Sequence, residues 1–396
     1  MYTILLILLP NAILAVETYP EYVARSFEPA PGPRLAAALN EAGVPPATWA
    51  DAASWAGANV AFLDSAYDGA ALSLVRPSSD ARVAVPLLVQ LVREWSRHGF
   101  AQRAQAFLPL VEAMREAVTG RVGARLLVPG SGLGRLVHDL AEAFASPGAL
   151  KEIVAVEHDV HAQLMARHML EGGKSDGGGG DGSSDEWTAC GGADVPGTAP
   201  GGVCVGGAAH GGRQAIYPSL HVATGWHNAS DRIAACDVPD VSSARLAAVQ
   251  ERTSIALHVG TFPEALPASE SGAVASAFDG AATAFFLDVV PDPLGAIRAM
   301  QRLLAPRQGT WANVGPLAFP DAPHEAMGGA NAAHALSATQ LLALVRLGGF
   351  VVRENRLVDC EYGGLPMRAE RTLRQCLYFV AVPRGRGDHE TSRRDE

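Results

Sequence analysis

The clearest chemical pattern in this chain is one run from Leu126 to Leu136, LLVPGSGLGRL, in which an apolar segment leads into three spaced glycines. Glycine tolerates positive φ and has no Cβ, so a backbone that turns tightly around a ligand uses it at such positions. A glycine-rich turn between a first parallel strand and a helix is where an α/β sheet binds a nucleoside cofactor. An ordinary strand-to-helix turn is the alternative interpretation of the same residues.

A second feature follows downstream, where the apolar segment Ile153–Val156 ends in Glu157. An acidic residue at the end of the second strand holds the ribose hydroxyls in sheets of this class. The helix predicted between the two motifs, from Arg135 to about Phe144, gives the required strand–helix–strand order. Glu157 therefore favours a nucleotide-type cofactor. Arg135 stands where a dinucleotide fingerprint has its third glycine, which argues against an NAD-dependent oxidoreductase.

The elements that must position these motifs are predicted from periodicity. Apolar residues recur at helical spacing through residues 80–122, and residues 123–383 alternate strand-like and helix-like segments, as in a doubly wound sheet. Further strands are predicted at 254–262, 281–290, 309–315, 350–358 and 375–382, and further helices at 294–304 and 337–347. The predicted fold class is α/β, a Rossmann-like seven-strand sheet with an N-terminal helical region.

Three other segments differ in composition. Residues 172–212 are dominated by glycine and cannot bury enough apolar area to offset chain entropy, so we predict a disordered insertion. Residues 384–396 form a charged tail. Residues 1–79 begin with the apolar run Met1–Val16, which is interpreted either as the apolar part of a signal peptide or as an N-terminal helix. This run is too short to span a bilayer comfortably.

Overall composition excludes several classes of function. The 396 residues contain 31 basic and 41 acidic side chains, and this net charge of −10 argues against a nucleic-acid binder. The five cysteines are odd in number and contain no C-x-x-C pair, so neither a disulfide framework nor a metal site is predicted. This cysteine usage is typical of a reducing compartment.

Several motifs, in their order along the chain, resemble one family. The segments LVPGSGLGRL, YPSLH, FFLD, WANVGPL and CLYFVAV, and the upstream VREWS helix, are similar to motifs of the carnosine N-methyltransferase (N2227-like) family. The G-x-G-x-G spacing is also more common among S-adenosylmethionine (SAM) methyltransferases. The resemblance covers about residues 80–383, without the insertion. It implies a seven-strand methyltransferase sheet, SAM as cofactor, and methyl transfer to an imidazole nitrogen of carnosine or a related small peptide.

The resemblance also assigns cofactor contacts residue by residue. Gln90 and Arg93 match cofactor-contacting positions, and their i, i+3 spacing places them on one helix face, although a solvated face would show the same spacing. The planar guanidinium of Arg93 suits the methionine carboxylate of SAM. Gly130 and Gly132 match the loop, and Glu157 matches the residue that holds the ribose.

One cofactor motif departs from the family. Phe262 matches the residue beside the adenine, but the family sequence G-D-F is here Gly260-Thr261-Phe262. The Thr261 hydroxyl can still accept a hydrogen bond from the adenine amine. Because a hydroxyl is a weaker acceptor than a carboxylate, we expect reduced affinity for the cofactor.

Fewer residues are predicted to contact the methyl acceptor than to contact the cofactor. Asp288 matches a substrate-contacting aspartate and is predicted to end the fourth strand, where it would be a catalytic and substrate-binding residue or only a helix cap. His221 in YPSLH is predicted to be a substrate contact or a structural histidine. Pro320 stands at the position of the family's histidine base, which leaves His324, four residues on, as a second candidate catalytic residue.

The family's tyrosines before the last strand are also missing. Thr372, Leu373 and Arg374 occupy that stretch, and Tyr362 is predicted to lie on the wrong side of the hairpin. Two functions therefore stay open: a carnosine-type N-methyltransferase, and a non-catalytic SAM-binding or interaction protein that has lost the base.

The same residues predict the partners and the compartment. The expected partner is a small molecule or dipeptide, with neither nucleic acid nor a stable membrane span, and the oligomeric state is not predicted. Family likeness and cysteine usage predict a cytoplasmic protein. If residues 1–16 are a signal peptide, the secretory pathway is the alternative.

Overall fold

The computed structural model describes residues 17–27, 33–41, 49–67, 76–171, 213–266, 278–318 and 336–385, apart from 145, 147, 223–224, 227, 363–364, 366–367 and 370. The apolar run 1–16, the insertion 172–212 and the charged tail from 386 onward lie outside the described residues, so the predictions made for them stay predictions. Among the described helices, none has the length and apolar character needed to cross a membrane.

The strands of the described residues form a seven-stranded mixed sheet and a separate two-stranded ribbon. In chain order the strands are β1 (Ala124–Pro129), β2 (Leu150–Glu157), β3 (Gln214–Ile216), β4 (Cys236–Val238), β5 (Ser254–Val259), β6 (Gly280–Ala284), β7 (Thr310–Pro316), β8 (Phe350–Glu361) and β9 (Leu373–Pro383). The large sheet has the order β5-β2-β1-β6-β7-β9-β8, and β3 pairs with β4 outside it. Only β9 runs against its neighbours in this sheet, β7 and β8.

Helices cover both faces of the sheet, and several of those before β1 pack together at one end of it. The helices are α1 (Tyr19–Ser26), α2 (Pro33–Glu41), α3 (Trp49–Ser65), α4 (Ala81–Trp95), α5 (Phe100–Ala106), α6 (Leu108–Val118), α7 (Arg135–Ala143), α8 (Val160–Leu170), α9 (Ser243–Arg252), α10 (Pro293–Leu303) and α11 (Ala338–Leu347). Ser337 caps α11 with a reciprocal hydrogen-bond pair to Gln340, as its residue type predicted.

The core follows the alternation of side chains along the strands. In β1, Leu126 and Val128 point to the face covered by α6 and α7, whereas Leu127 points to the face covered by α10 and α11. A third apolar cluster joins α1, α3, α4 and α8 at one end of the sheet. The predicted α/β class, with seven strands and an N-terminal helical region, is therefore confirmed.

Two predicted strands are too long. The strand predicted over 254–262 ends at Val259, because Gly260 takes a φ of 136° that only glycine adopts readily. The strand predicted over 281–290 ends at Ala284, because Phe285 adopts a left-handed φ of 54° and turns the chain. Asp288 consequently lies in the loop beyond β6 and does not end that strand.

Candidate active site

The glycine loop after β1 is held tightly between α4 and the loop after β6. Gly132 has a φ of 56°, and a Cβ there would lie 2.8 Å from Gln90 Nε2 and 2.9 Å from Glu94 Oε1. A Cβ on Gly130, at φ 67°, would lie 2.9 Å from Cδ2 of Phe286. Any larger residue would force these neighbours apart, so the loop needs glycine for both conformation and space.

A buried glutamate that the sequence motifs did not indicate, Glu94, links α4 to this loop. Glu94 Oε1 accepts hydrogen bonds from Gln90 Nε2 at 2.9 Å and from Arg93 Nη2 at 2.8 Å. Its other oxygen, Oε2, accepts from the backbone N–H of Leu133 at 3.0 Å. Gln90 and Arg93 thus share one helix face, as their spacing predicted, and Glu94 stands between them and the loop.

The Arg93 guanidinium is only partly hydrogen-bonded by the described residues. Its Nε is buried and has no hydrogen-bond partner in the described part of the chain. The guanidinium carbon lies 5.5 Å from the ring centroid of Phe285 and 5.9 Å from that of Tyr362. Burial alone would lower the pKa of Arg93, but the adjacent Glu94 carboxylate and Tyr362 outweigh it and hold that pKa above its usual value. Arg93 therefore stays charged.

Glu157 lies at the carboxyl end of β2, on the other side of the glycine loop. Its Oε2 accepts from the N–H of Gly132 at 2.9 Å, and its Oε1 accepts from the N–H of Asp159 at 3.0 Å. Burial raises the pKa of Glu157, and the two backbone N–H groups oppose that rise. A carboxylate has about four acceptor positions, so roughly two remain for ribose hydroxyls. We call Gln90, Arg93, Glu94, Gly132, Leu133 and Glu157 the glycine-loop cluster.

The residues predicted beside the adenine lie next to this cluster. Phe262 is buried and packs edge-to-face on Phe286, with ring centroids 5.9 Å apart. Thr261 is exposed, and its Oγ1 lies 3.3 Å from Nδ1 of His158, the residue that follows Glu157. Thr261 therefore lies close to the carboxyl end of β2, where Glu157 is.

Asp288, which is predicted to contact the methyl acceptor, differs from Glu94 and Glu157 in its hydrogen bonding. Asp288 is only 3% exposed, yet neither of its carboxylate oxygens has a hydrogen-bond partner among the described residues. Burial raises the pKa of Asp288 to about 7, against the opposing charge of Arg374. A buried carboxylate without a partner is costly, and such groups concentrate at functional sites.

The position of Tyr362 differs from the prediction. It was expected on the wrong side of the hairpin, but β8 runs in the same direction as β6 and β7, because β9 is antiparallel to both of its neighbours. The carboxyl end of β8 therefore lies at the same edge of the sheet as Asp288. The ring of Tyr362 lies 5.3 Å from that of Phe285, and Arg374 at the start of β9 lies 5.3 Å from the Tyr362 ring centroid. We call Asp288, Tyr362 and Arg374 the Asp288 cluster.

The two remaining candidates stay predictions. His324 lies outside the described residues. His221 packs near Tyr22 of α1, at a ring distance of 6.4 Å, and its Nδ1 is buried without a hydrogen-bond partner in the described part of the protein. Burial, helped by Arg368 and Arg232, lowers the pKa of His221 to about 3, so this imidazole is neutral. Tyr22, its aromatic neighbour, belongs to the N-terminal helix α1.

The fold and site together have the arrangement of the SAM-dependent methyltransferase class: a seven-stranded sheet with one antiparallel strand, a glycine loop after β1 and an acidic residue at the end of β2. The family model for carnosine N-methyltransferase matches residues 72–177 and 207–384, and the chain belongs to this family. The cofactor that the family implies is SAM. Its methionine carboxylate would suit the buried Nε of Arg93, and its ribose hydroxyls would suit the remaining acceptor positions of Glu157.

Curated relatives agree with the family match at low identity. The chain is 24% identical over 300 residues to a carnosine N-methyltransferase of Dictyostelium discoideum, covering 74% of this chain and 53% of that protein. It is 24% identical over 290 residues to one of Schizosaccharomyces pombe, covering 70% of this chain and 64% of that protein. The chain thus spans between half and two thirds of the length of these relatives.

Proposed function

We propose that this protein transfers the methyl group of SAM to an imidazole nitrogen of carnosine or a related small imidazole peptide. The family match supports the substrate class. The observation that carries the proposal is Asp288, whose two buried oxygens have no hydrogen-bond partner among the described residues. An imidazole N–H is a donor that such a carboxylate would accept.

The cofactor would be held by the glycine-loop cluster. The Nε of Arg93 and the buried Oγ of Ser131, which also lacks a partner among the described residues, suit the methionine carboxylate. Glu157 suits the ribose hydroxyls, and Phe262 the adenine ring. When bound, SAM supplies an electrophilic methyl group on a sulfonium centre. The protein's own contribution is to hold the acceptor nitrogen in line with that methyl and to exclude water.

Asp288 is proposed to manage the proton of the imidazole. One ring nitrogen attacks the methyl carbon while the C–S bond breaks and its electron pair leaves with sulfur. The proton on the other ring nitrogen passes to a carboxylate oxygen of Asp288, which leaves a neutral methylimidazole. The pKa of Asp288, about 7, lies near that of imidazole, so this transfer is nearly balanced. A carboxylate would thereby serve where the family has a histidine and this chain has Pro320.

Methyl transfer from labelled SAM to carnosine tests the proposal. The wild-type protein should label the dipeptide, and Asp288→Ala should lose at least about 100-fold in rate while it still binds SAM, because a general base contributes roughly that much. Asp237→Ala, which changes an exposed aspartate of β4, is the matched control. Absence of label in the dipeptide at high enzyme concentration, with SAM bound, would overturn the carnosine assignment.

A further inference from the structure

Arg374 lies in the Asp288 cluster, at the edge of the sheet formed by the carboxyl ends of β6, β7 and β8. It lies at the amino end of β9, opposite Cys360 on β8, and therefore at the sheet edge where Tyr362 and Asp288 meet. Its guanidinium stacks on the Tyr362 ring, with the guanidinium carbon 5.3 Å from the centroid. Nε of Arg374 is buried and has no hydrogen-bond partner in the part of the chain that the structure describes.

Arg374 is half-buried and, among the described residues, lacks an ion pair of the kind that three other buried or half-buried arginines form. Arg93 forms an ion pair with Glu94, and Arg103 and Arg135 both pair with Asp240. The carboxylate that interacts with Arg374 is Asp288, and no hydrogen bond joins the two side chains. Within the described residues, then, the Asp288 cluster holds an acceptor and a planar cationic donor that do not satisfy each other.

We propose that Arg374 binds a carboxylate of the methyl acceptor, so that this protein selects imidazole compounds with a free carboxylate close to the ring. This inference rests on the proposed function and specifies its substrate class. The planar guanidinium matches a carboxylate with two parallel hydrogen bonds, and stacking on Tyr362 fixes its orientation. One acceptor molecule would then give an imidazole N–H to Asp288 and a carboxylate to Arg374.

The position of Arg374 should also disfavour imidazole compounds that lack a free carboxylate. An amidated or decarboxylated analogue would leave the guanidinium desolvated without an anion, and specificity is often strongest where a wrong ligand leaves a buried polar group unpaired. Arg374 should therefore determine specificity, with Asp288 still managing the proton. It is a positioning residue for the acceptor.

The test compares two acceptors that share the imidazole and the β-alanyl amine: carnosine and β-alanylhistamine, which lacks the carboxylate. We expect wild-type kcat/KM to favour carnosine by at least about 10-fold, since a charge-assisted pair contributes roughly that much. Arg374→Gln should bring the two acceptors within about threefold of each other, mainly by raising KM for carnosine, and Arg374→Lys should restore part of the preference. Arg371→Gln, on the exposed residue that precedes β9, should keep the wild-type preference.

Several results would overturn the inference. A wild-type enzyme without preference, or an Arg374→Gln variant that loses both acceptors equally, would mean that Arg374 acts only on Asp288 or on folding. Thermal melting checks that the variant is folded.

If no imidazole compound is methylated, the proposed function fails separately. Calorimetric binding of the two acceptors in the presence of S-adenosylhomocysteine then decides the inference. Tighter binding of carnosine that is lost in Arg374→Gln supports it, and equal binding overturns it.

Discussion

The glycine-loop cluster and the Asp288 cluster lie at the same edge of the sheet, but their buried carboxylates differ in hydrogen bonding. Glu94 accepts three hydrogen bonds and Glu157 accepts two, all from the protein. Asp288 is buried to a similar degree and accepts none from the described residues. The first cluster is preorganised by the fold, whereas the carboxylate of the second has no donor among the described residues.

This difference has an energetic meaning. A buried carboxylate that is fully hydrogen-bonded can stabilise the folded chain, while one without partners costs stability and shifts its pKa upward. The same burial that destabilises Asp288 prepares it to take a proton near neutral pH. Loss of the Glu94 carboxylate and loss of the Asp288 carboxylate should therefore change stability in opposite directions.

The largest effect is expected at Glu94. Glu94→Ala leaves the Arg93 charge, the Gln90 amide and the Leu133 N–H without their shared acceptor, so we expect a loss of about 3 kcal/mol in the free energy of unfolding. Affinity for SAM should fall by more than about 10-fold, because α4 is no longer fastened to the loop. Urea unfolding and calorimetry measure the two effects. Glu112→Ala, on the exposed side of α6, is the control, and equal stability of the two variants would contradict this account.

Asp288→Asn should act in the opposite direction on stability and is also expected to abolish most activity. Because folding raises the pKa of Asp288 to about 7, its protonated form is the one the fold tolerates. The stability linked to this proton is fully present below the ordinary aspartate pKa and is lost as pH rises through about 7.

The asparagine variant should therefore be more stable than wild type by about 1–3 kcal/mol at pH 8, with the gain vanishing near pH 4. Thermal melting across this pH range measures the gain, and wild-type kcat should rise through about pH 7. A variant that is less stable than wild type at pH 8 would show that Asp288 has a partner in the folded protein.

An intermediate effect is expected at Tyr362. Tyr362→Phe removes the hydroxyl next to Arg93 but keeps the ring that packs on Phe285 and under Arg374. We expect kcat/KM for carnosine to fall about three- to tenfold, the usual worth of one hydrogen bond, with stability nearly unchanged. Tyr378→Phe, on a ring that stacks on Arg356 farther along β9, should leave kcat/KM as it is. Equal activities of the two variants would place Tyr362 outside the site.

The sequence predicted the glycine-loop cluster better than the Asp288 cluster, for a physical reason. The loop, Glu157 and the helix between them follow from local rules on turns and periodicity, and all three lie where expected. Glu94 was missed because a carboxylate on a helix gives no signal until the helix docks. The position of Tyr362 was predicted wrongly, and Arg374 was not recognised as a site residue, because both depend on how β8 and β9 pair with strands distant in sequence.

The smallest effect is expected from restoring the family residue at position 261. Thr261→Asp places a stronger acceptor beside the expected adenine position, so affinity for SAM should rise by about three- to tenfold. Calorimetry measures it, with Thr119→Asp, an exposed threonine remote from the loop, as the control. Because Thr261 adjoins the glycine-loop cluster, kcat with a saturating acceptor should not change. A changed kcat with unaltered SAM affinity would mean that the two clusters are not independent.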